Sequence, residues 1–128
     1  MNTDPIADLL TRIRNAQKAH LGEIELPHSN VKEEILKVMM KYKFIENYNV
    51  EDLENNKKKL FVTLSEKNKA GSIKRISSPG QRLYSKSKDN KHIKSGLGIR
   101  ILSTSKGIMS NVDAKKLKIG GEVLCELS

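Results

Sequence analysis

The sequence predicts an α+β fold in two small subdomains, an N-terminal α-β-α-β-β unit over residues 1–65 and a smaller, strand-rich, basic unit over 66–128. Three observations carry this. In two stretches of the first half, apolar residues recur at steps of three and four, the spacing of helices that bury one face. Elsewhere they alternate, the period of a half-buried strand. Across 66–72 the chain turns polar, with Gly71 and a lone alanine, which marks a boundary.

The first helix starts at Asp4, which suits an N-cap, and Pro5, which suits the first helical position because its missing N–H would lack an intrahelical partner. Ile6, Leu9, Leu10, Ile13 and Ala16 then share one face, with Arg12 and Arg14 pointing away. Gly22 is expected to end this helix. Residues 23–26 alternate as a short strand that Pro27 stops. A second helix is expected over 30–43, with Asn30 and Glu33 resembling a capping box. Its apolar face is Val31, Ile35, Val38, Met39 and Tyr42. Strands follow at 44–50 and 58–64, separated by a turn around 54–56. In the second strand Leu60, Val62 and Leu64 alternate with Phe61 and Thr63.

The pieces of the second half are shorter. A strand at 73–76 meets the turn Ser77-Ser78-Pro79-Gly80, where proline presets one dihedral and glycine accepts a positive one. Residues 82–84 and a Lys/Ser/Asn loop come next. A strand at 98–102, a helix at 111–118 and a last strand at 122–127, entered through Gly120-Gly121, complete the chain.

Charge narrows the function. The 128 residues hold 24 Lys+Arg against 15 Asp+Glu, a net +9. Residues 1–64 carry 10 basic and 10 acidic side chains and residues 65–128 carry 14 and 5, so the whole excess sits in the second half. Such an excess repels itself unless a polyanion offsets it. Nucleic acid is the first candidate, with an acidic protein or a membrane surface as alternatives. No apolar run approaches the roughly 18 residues of a membrane span. The opening Met-Asn-Thr-Asp-Pro lacks the basic-then-apolar pattern of a secretory signal. One cysteine cannot close an internal disulfide, as expected in a reducing compartment.

Signals of catalysis are weak. Cys125 alternates with Val123 and Leu127, and no histidine or basic cluster adjoins it, so it reads as a buried structural thiol rather than a nucleophile. His20, His28 and His92 are scattered, with no cysteine or histidine at metal-ligand spacing. Gly96-Leu97-Gly98 lacks the third glycine of a dinucleotide loop. No metal, cofactor, membrane or small-molecule substrate is expected. A small RNA-processing enzyme such as a nuclease stands as the alternative to a binding protein.

Binding signals are stronger. Ser103-Thr104-Ser105-Lys106-Gly107 places three hydroxyls, an ammonium and a glycine in five residues after a strand. Hydroxyls can donate to phosphates or accept from a ribose 2′-OH. That set suits the shallow minor groove of RNA, although an ordinary polar turn has the same composition. A second cluster, Lys74-Arg75-Ile76-Ser77-Ser78-Pro79-Gly80-Gln81-Arg82-Leu83-Tyr84, interleaves cations with turn residues and ends in an aromatic. Tyr84 can stack on an unpaired base or bury its ring beside Leu83.

These stretches make the chain recognisable. Gly98-Ile99-Arg100-Ile101-Leu102-Ser103-Thr104-Ser105-Lys106-Gly107-Ile108-Met109, with Ala114-Lys115 and Gly120-Gly121-Glu122-Val123-Leu124-Cys125, is one hallmark. The opening Asp4-Pro5-Ile6-Ala7-Asp8-Leu9-Leu10-Thr11-Arg12-Ile13-Arg14-Asn15 is another, and Lys74-Arg75-Ile76-Ser77 with Pro79-Gly80 a third. Over its whole length the sequence resembles the bacterial-type family of the eighth protein of the small ribosomal subunit. The resemblance implies a non-enzymatic ribosomal component in the cytoplasm. It would bind the central domain of small-subunit ribosomal RNA during assembly and lie against neighbouring small-subunit proteins. It implies RNA contacts by Ser103, Thr104, Ser105, Lys106 and Gly107, an aromatic contact by Tyr84, and Glu122 and Glu126 on the nearby last strand. Lys74, Arg75 and Arg82 join this set, and Arg12 and Arg14 would meet other RNA segments. Some relatives also bind a messenger RNA that copies the ribosomal site, which makes autoregulation a further expectation. Ser78 stands where the family usually has a basic residue, and Ser110-Asn111-Val112 where it has Thr-Asp-Arg.

Overall fold

Helices and strands are mixed as expected, with one sheet in each half of the computed structural model, which describes residues 4–65, 72–86 and 98–128. One unit is drawn from Pro5–Lys69 and the other from Met1–Asp4 with Ala70–Ser128. The boundary expected at 66–72, except Ser72, and most of the Lys/Ser/Asn loop lie outside the described residues.

In the first unit the order is α1 (Pro5–Lys18), β1 (Glu23–Pro27), α2 (Asn30–Lys41), β2 (Ile45–Asp52) and β3 (Lys58–Leu64). The sheet is antiparallel in the order β1-β3-β2. Leu26 pairs with Leu60, and Ile24 and Tyr48 flank Val62. Leu26, Leu60, Val62 and Leu64 are buried together with Leu9, Leu10, Ile13 and Ala16 of α1 and Ile35, Leu36 and Met39 of α2. The alternation of β3 therefore holds residue by residue. Between β2 and β3 the turn at Glu54–Asn56 places Asn55 and Asn56 at φ 61° and 59°, a region asparagine tolerates better than most residues.

The ends and the buried face of the helices of the first unit differ from expectation. α1 stops at Lys18, four residues before Gly22, because His20 takes the left-handed position at φ 56°. His20 N–H donates to Gln17 O and Leu21 N–H to Ala16 O, the paired bonds of a Schellman ending. The cap of α2 is Ser29, whose Oγ accepts from Lys32 N at 3.2 Å, not Asn30. Glu33 closes no capping box; it accepts from the His28 ring at 2.8 Å and from the Tyr48 hydroxyl at 3.4 Å. The buried face is also shifted from the expected one: Lys32 and Leu36 join Ile35, Val38 and Met39 in it, while Val31 is exposed. α2 also ends before Lys43, which sits at φ 65° in a second Schellman ending.

The second unit holds β4 (Ile73–Arg75), β5 (Tyr84–Ser85), β6 (Ile99–Thr104), β7 (Gly107–Ser110), α3 (Asn111–Lys116) and β8 (Gly121–Leu127). The sheet order is β4-β8-β6-β7, with β5 also pairing with β8, and every pair is antiparallel. β7 was not expected, and β6 runs two residues beyond 102 to include Ser103 and Thr104. α3 is capped by Ser110 and ends two residues short of 118, with Lys118 at φ 58° in a third Schellman ending. In the turn after β4, Ser78 and Gln81 exchange both backbone hydrogen bonds. Gly80 does not take the expected positive φ; among the described glycines only Gly107 does, at 111°.

A bulge organises β8. Ile101 pairs with Cys125 but its neighbour Leu102 pairs with Val123, so Leu124 is the extra residue. Paired residues share a face and consecutive ones do not. Val123 therefore joins Leu102 and Ala114 in the core beneath α3, with Ile76, Met109 and Ile119 packed around them. Cys125 and Leu127 face the other way with Ile101 and Ile99. The expectation that Val123, Cys125 and Leu127 share a face fails at the bulge.

Candidate nucleic-acid interface

The hairpin between β6 and β7 turns through two residues, Ser105 and Lys106, because Thr104 pairs directly with Gly107. Neither turn residue has a positive φ; that role falls to Gly107, the arrangement of a tight turn closed by a bulge glycine. The Thr104 hydroxyl is spent on the turn itself, donating to Gly107 O at 2.7 Å and accepting from Lys106 N at 3.1 Å. The polar stretch read as a loop is thus half strand and half turn. Ser105 and Lys106 stand exposed at its tip.

Beside the tip, β8 begins between two strands. Glu122 pairs with Ser103 of β6 on one side and with Tyr84 of β5 on the other, and Ser103 pairs onward with Ile108. One rung across four strands therefore sets Tyr84, Glu122, Ser103 and Ile108 side by side on one face. Gly120 and Gly121 permit this approach: a Cβ on Gly121 would overlap the Ser103 carbonyl, and one on Gly120 the Ser85 carbonyl. Tyr84 is 72% exposed, so of the two readings of its ring the open one holds. Its position is fixed from behind by Ser77. That buried hydroxyl accepts from Leu83 N at 2.8 Å and donates to Leu83 O at 3.1 Å, while Leu83 O also accepts from Val123 N at 2.8 Å.

The charge around this rung is mixed. Arg82 Nη1 lies 3.4 Å from Glu122 Oε1, and the Glu122 side chain is only 14% exposed. Where α3 runs into Gly120-Gly121, Lys115, Lys116 and Lys118 are exposed, and among the described residues none of them is in an ion pair. Of the three, only Lys115 belongs to a stretch singled out in the sequence, Ala114-Lys115, and none was expected as an RNA contact. The signal was the short spacing between them and the glycine pair.

Other predicted residues lie elsewhere. Lys74, Glu126 and Arg100 form a rung on the opposite face of the sheet, with Arg100 Nε 3.2 Å from Glu126 Oε2. Glu122 and Glu126 are thereby separated by the bulge. Arg75 is held inside its unit, by the Asp4 carboxylate at 3.1 Å and the Leu124 carbonyl at 2.6 Å. Arg12 and Arg14 belong to the other unit, where Arg12 pairs with Asp8 at 3.1 Å. Asn111 of the Ser110-Asn111-Val112 segment is buried and accepts from Arg100 N at 3.0 Å.

Catalytic chemistry has little to work with. Burial pushes the Cys125 thiol up to about 12, against the smaller opposing pull of the Arg75 charge, so it stays protonated at neutral pH. Among the described residues no three His, Cys, Asp or Glu side chains are grouped to hold a metal ion. None of the described helices is long and apolar enough to cross a membrane.

The surface offers an exposed aromatic, free hydroxyls, a flanked carboxylate and unpaired lysines, which suits a folded RNA. The family model described as ribosomal protein S8 matches residues 4–127. The chain is 50% identical over 127 residues to the small ribosomal subunit protein uS8 of Bacteroides fragilis, covering 96% of this chain and 97% of that one. It is 47% identical over 133 residues to the uS8 protein of Rhodopirellula baltica, covering both in full. The uS8 protein of Mycoplasmopsis synoviae is 44% identical over 125 residues, 95% of each chain.

Proposed function

The chain belongs to the ribosomal protein S8 family, and on that footing we propose that its C-terminal unit binds the central domain of small-subunit ribosomal RNA directly. As a member of that family it is a structural, non-enzymatic constituent of the small ribosomal subunit in the cytoplasm, with ribosomal RNA and other ribosomal proteins as its partners. The observation that carries the finer reading is the rung Tyr84–Glu122–Ser103 beside the Ser105-Lys106 tip. RNA recognised by shape presents 2′-hydroxyls, phosphates and a few unstacked bases. Tyr84 offers a stacking face, Ser103 and Ser105 offer hydroxyls, and Lys106 with Lys115, Lys116 and Lys118 meets the backbone. Arg82 and Glu122 act as a pair that places a donor and an acceptor next to the stacked base.

Lys74, Glu126 and Arg100 form a separate polar surface, and Arg75 supports the sheet through its bonds to Asp4 and Leu124. Arg12 and Arg14 would touch other RNA segments in the particle. A messenger RNA that copies the ribosomal site would occupy the same rung, giving autoregulation without a second site.

The test is titration of the full chain with a central-domain fragment and with a fragment of another domain of the same RNA. The central-domain fragment is expected to bind more tightly. Tyr84→Ala should remove roughly 1–3 kcal/mol from that binding alone. Equal affinity for both fragments would overturn the assignment. Competition by the chain's own messenger RNA leader tests the regulatory reading.

A further inference from the structure

At the β8 bulge, Val123 and Leu124 turn their carbonyls to the same edge of the strand. Val123 O accepts from Ser77 N at 3.0 Å and Leu124 O from Ile76 N at 3.1 Å. In a regular antiparallel strand successive carbonyls point to opposite edges, so the Leu124 carbonyl has left the ladder it would form with β6. A second donor meets it there. Arg75 Nη1 reaches Leu124 O at 2.6 Å, while Arg75 Nε lies 3.1 Å from Asp4 Oδ2. One guanidinium thus spans a carboxylate and the displaced carbonyl, a geometry suited to the rigid fork of arginine.

Apolar packing leaves the register weakly decided. Val123, Leu124 and Cys125 are three apolar residues in a row, without the alternation that fixes the phase of a strand. Were β8 straight, Leu124 would face Leu102, Val123 would face Ser103, and Glu122 would face Thr104. Leu124 would then fill the site beneath α3 in place of Val123, one aliphatic side chain for another. The surface would change far more than the core. Glu122, and Tyr84 paired with it, would leave the face of Ser103. Something other than burial has to select the bulged register. The Arg75 and Asp4 side chains are only 17% and 19% exposed, so their pairing carries a desolvation cost that attraction alone offsets poorly. The best-attested use of such an enclosed pair is to specify one register over another.

We propose that Arg75, oriented by Asp4, is a positioning residue for RNA recognition. By holding the Leu124 carbonyl out of the β6 ladder it keeps Glu122 and Tyr84 on the face of Ser103. The inference rests on the reading of that rung as the RNA surface, and it gives Arg75 an indirect role in place of the phosphate contact its charge suggests.

Asp4→Asn in the full chain separates the two roles, because they differ in sign. Asparagine still supplies an N-cap oxygen at position 4. If the guanidinium contacted phosphate, removing the competing carboxylate would tighten RNA binding. As a positioning residue Arg75 loses its hold, and affinity for the central-domain fragment should fall about fivefold with the salt slope unchanged. In a Tyr84→Ala chain the same substitution should matter by about twofold or less, since the ring it places is gone. Arg75→Lys, which keeps the charge without the fork, should reproduce the loss. In the labelled free chain, nuclear Overhauser contacts between Leu102 and Val123 should weaken in both variants and contacts between Leu102 and Leu124 should appear. Tighter binding by Asp4→Asn, a lower salt slope, full additivity with Tyr84→Ala, or unaltered Leu102–Val123 contacts would overturn the proposal. A chain that bound both RNA fragments equally would refute the RNA assignment instead. The free-chain contacts would then decide alone, a slipped register supporting the role of Arg75 and an unchanged one refuting it.

Discussion

Ser105 and Lys106 share one two-residue turn but offer RNA different things. A hydroxyl pairs with one group in one direction, whereas an ammonium attracts any phosphate within reach. Ser105→Ala should leave the fold intact and cost roughly 1–3 kcal/mol on the cognate RNA only, if its partner is then left unsatisfied. Lys106→Ala should weaken cognate and unrelated hairpins alike and lower the salt slope. Titrating both RNAs at several salt concentrations separates them, and an equal loss for Ser105→Ala would make the tip an electrostatic surface only. Cys125 gives an independent check on the core. With its thiol pushed up to about 12 by burial, it should resist alkylation at pH 8 in the folded chain and react only as the chain unfolds. Cys125→Ser should cost roughly 1–3 kcal/mol of stability and leave the RNA affinity of the folded fraction unchanged. Glu33 adds a pH dependence. The His28 hydrogen bond, ahead of the opposing burial and the charge of Lys37, holds its carboxyl below 4.5. A depressed carboxyl contributes stability that is present above 4.5 and lost as pH falls through the lowered value. Denaturant melts of the wild type and Glu33→Gln should therefore converge in acid and differ most near neutrality.

At the scale of elements, the interiors were legible in the sequence, as were the start of α1 and both ends of β3, but the C-terminal ends of the helices were not. The stripe of α1 and the alternation of β3 were read correctly because burial imposes those periods directly. All three α-helices among the described residues, however, end in Schellman motifs whose left-handed residue is His20, Lys43 or Lys118. Waiting for Gly22 carries the first helix past His20, and the periodicity of the other two carries them onto Lys43 and Lys118 themselves. Such endings carry a backbone cost that glycine avoids, so Lys43→Gly should raise stability by up to about 1 kcal/mol. A melt shifted downward would show that the Lys43 side chain contributes more than the strain removes. β7 and the β8 bulge escaped notice for another reason. Both are defined by pairing with strands distant in sequence, and no local pattern records a one-residue offset.

At the scale of the whole molecule, the charge division points to the second half as the RNA surface proposed above, while the composition alone does not say how that surface would bind. The polar tip at 103–107 stood out as a run, yet the rung that completes it joins Tyr84, Glu122 and Ser103 from three separate stretches. If the excess charge of the second half binds the RNA, neutralising Lys115, Lys116 and Lys118 in the full chain should flatten the salt dependence. By analogy with duplex DNA, each lost phosphate contact is worth about 0.9 log units per log unit of salt. Neutralising Lys57, Lys58 and Lys59 should leave the slope unchanged, and equal effects from both sets would contradict the division.

The bulge at Leu124 has one more consequence. A regular β8 would be sorted by side, with Glu122 and Glu126 on one surface and Val123, Cys125 and Leu127 on the other. Shifted by half a period, it is sorted by quadrant instead. At the Leu127 end the sheet is dry on the cysteine side and wet on the side of Glu126 and Arg100; at the Glu122 end the pattern is reversed. The wet quadrant proposed to meet RNA is therefore backed, through the thickness of a single sheet, by the dry quadrant of Leu102, Val123 and Ala114. The recognition rung behaves like a keyboard mounted on a solid bed. Over-filling the bed, as Ala114→Leu would, should distort the spacing of the keys without touching any of them.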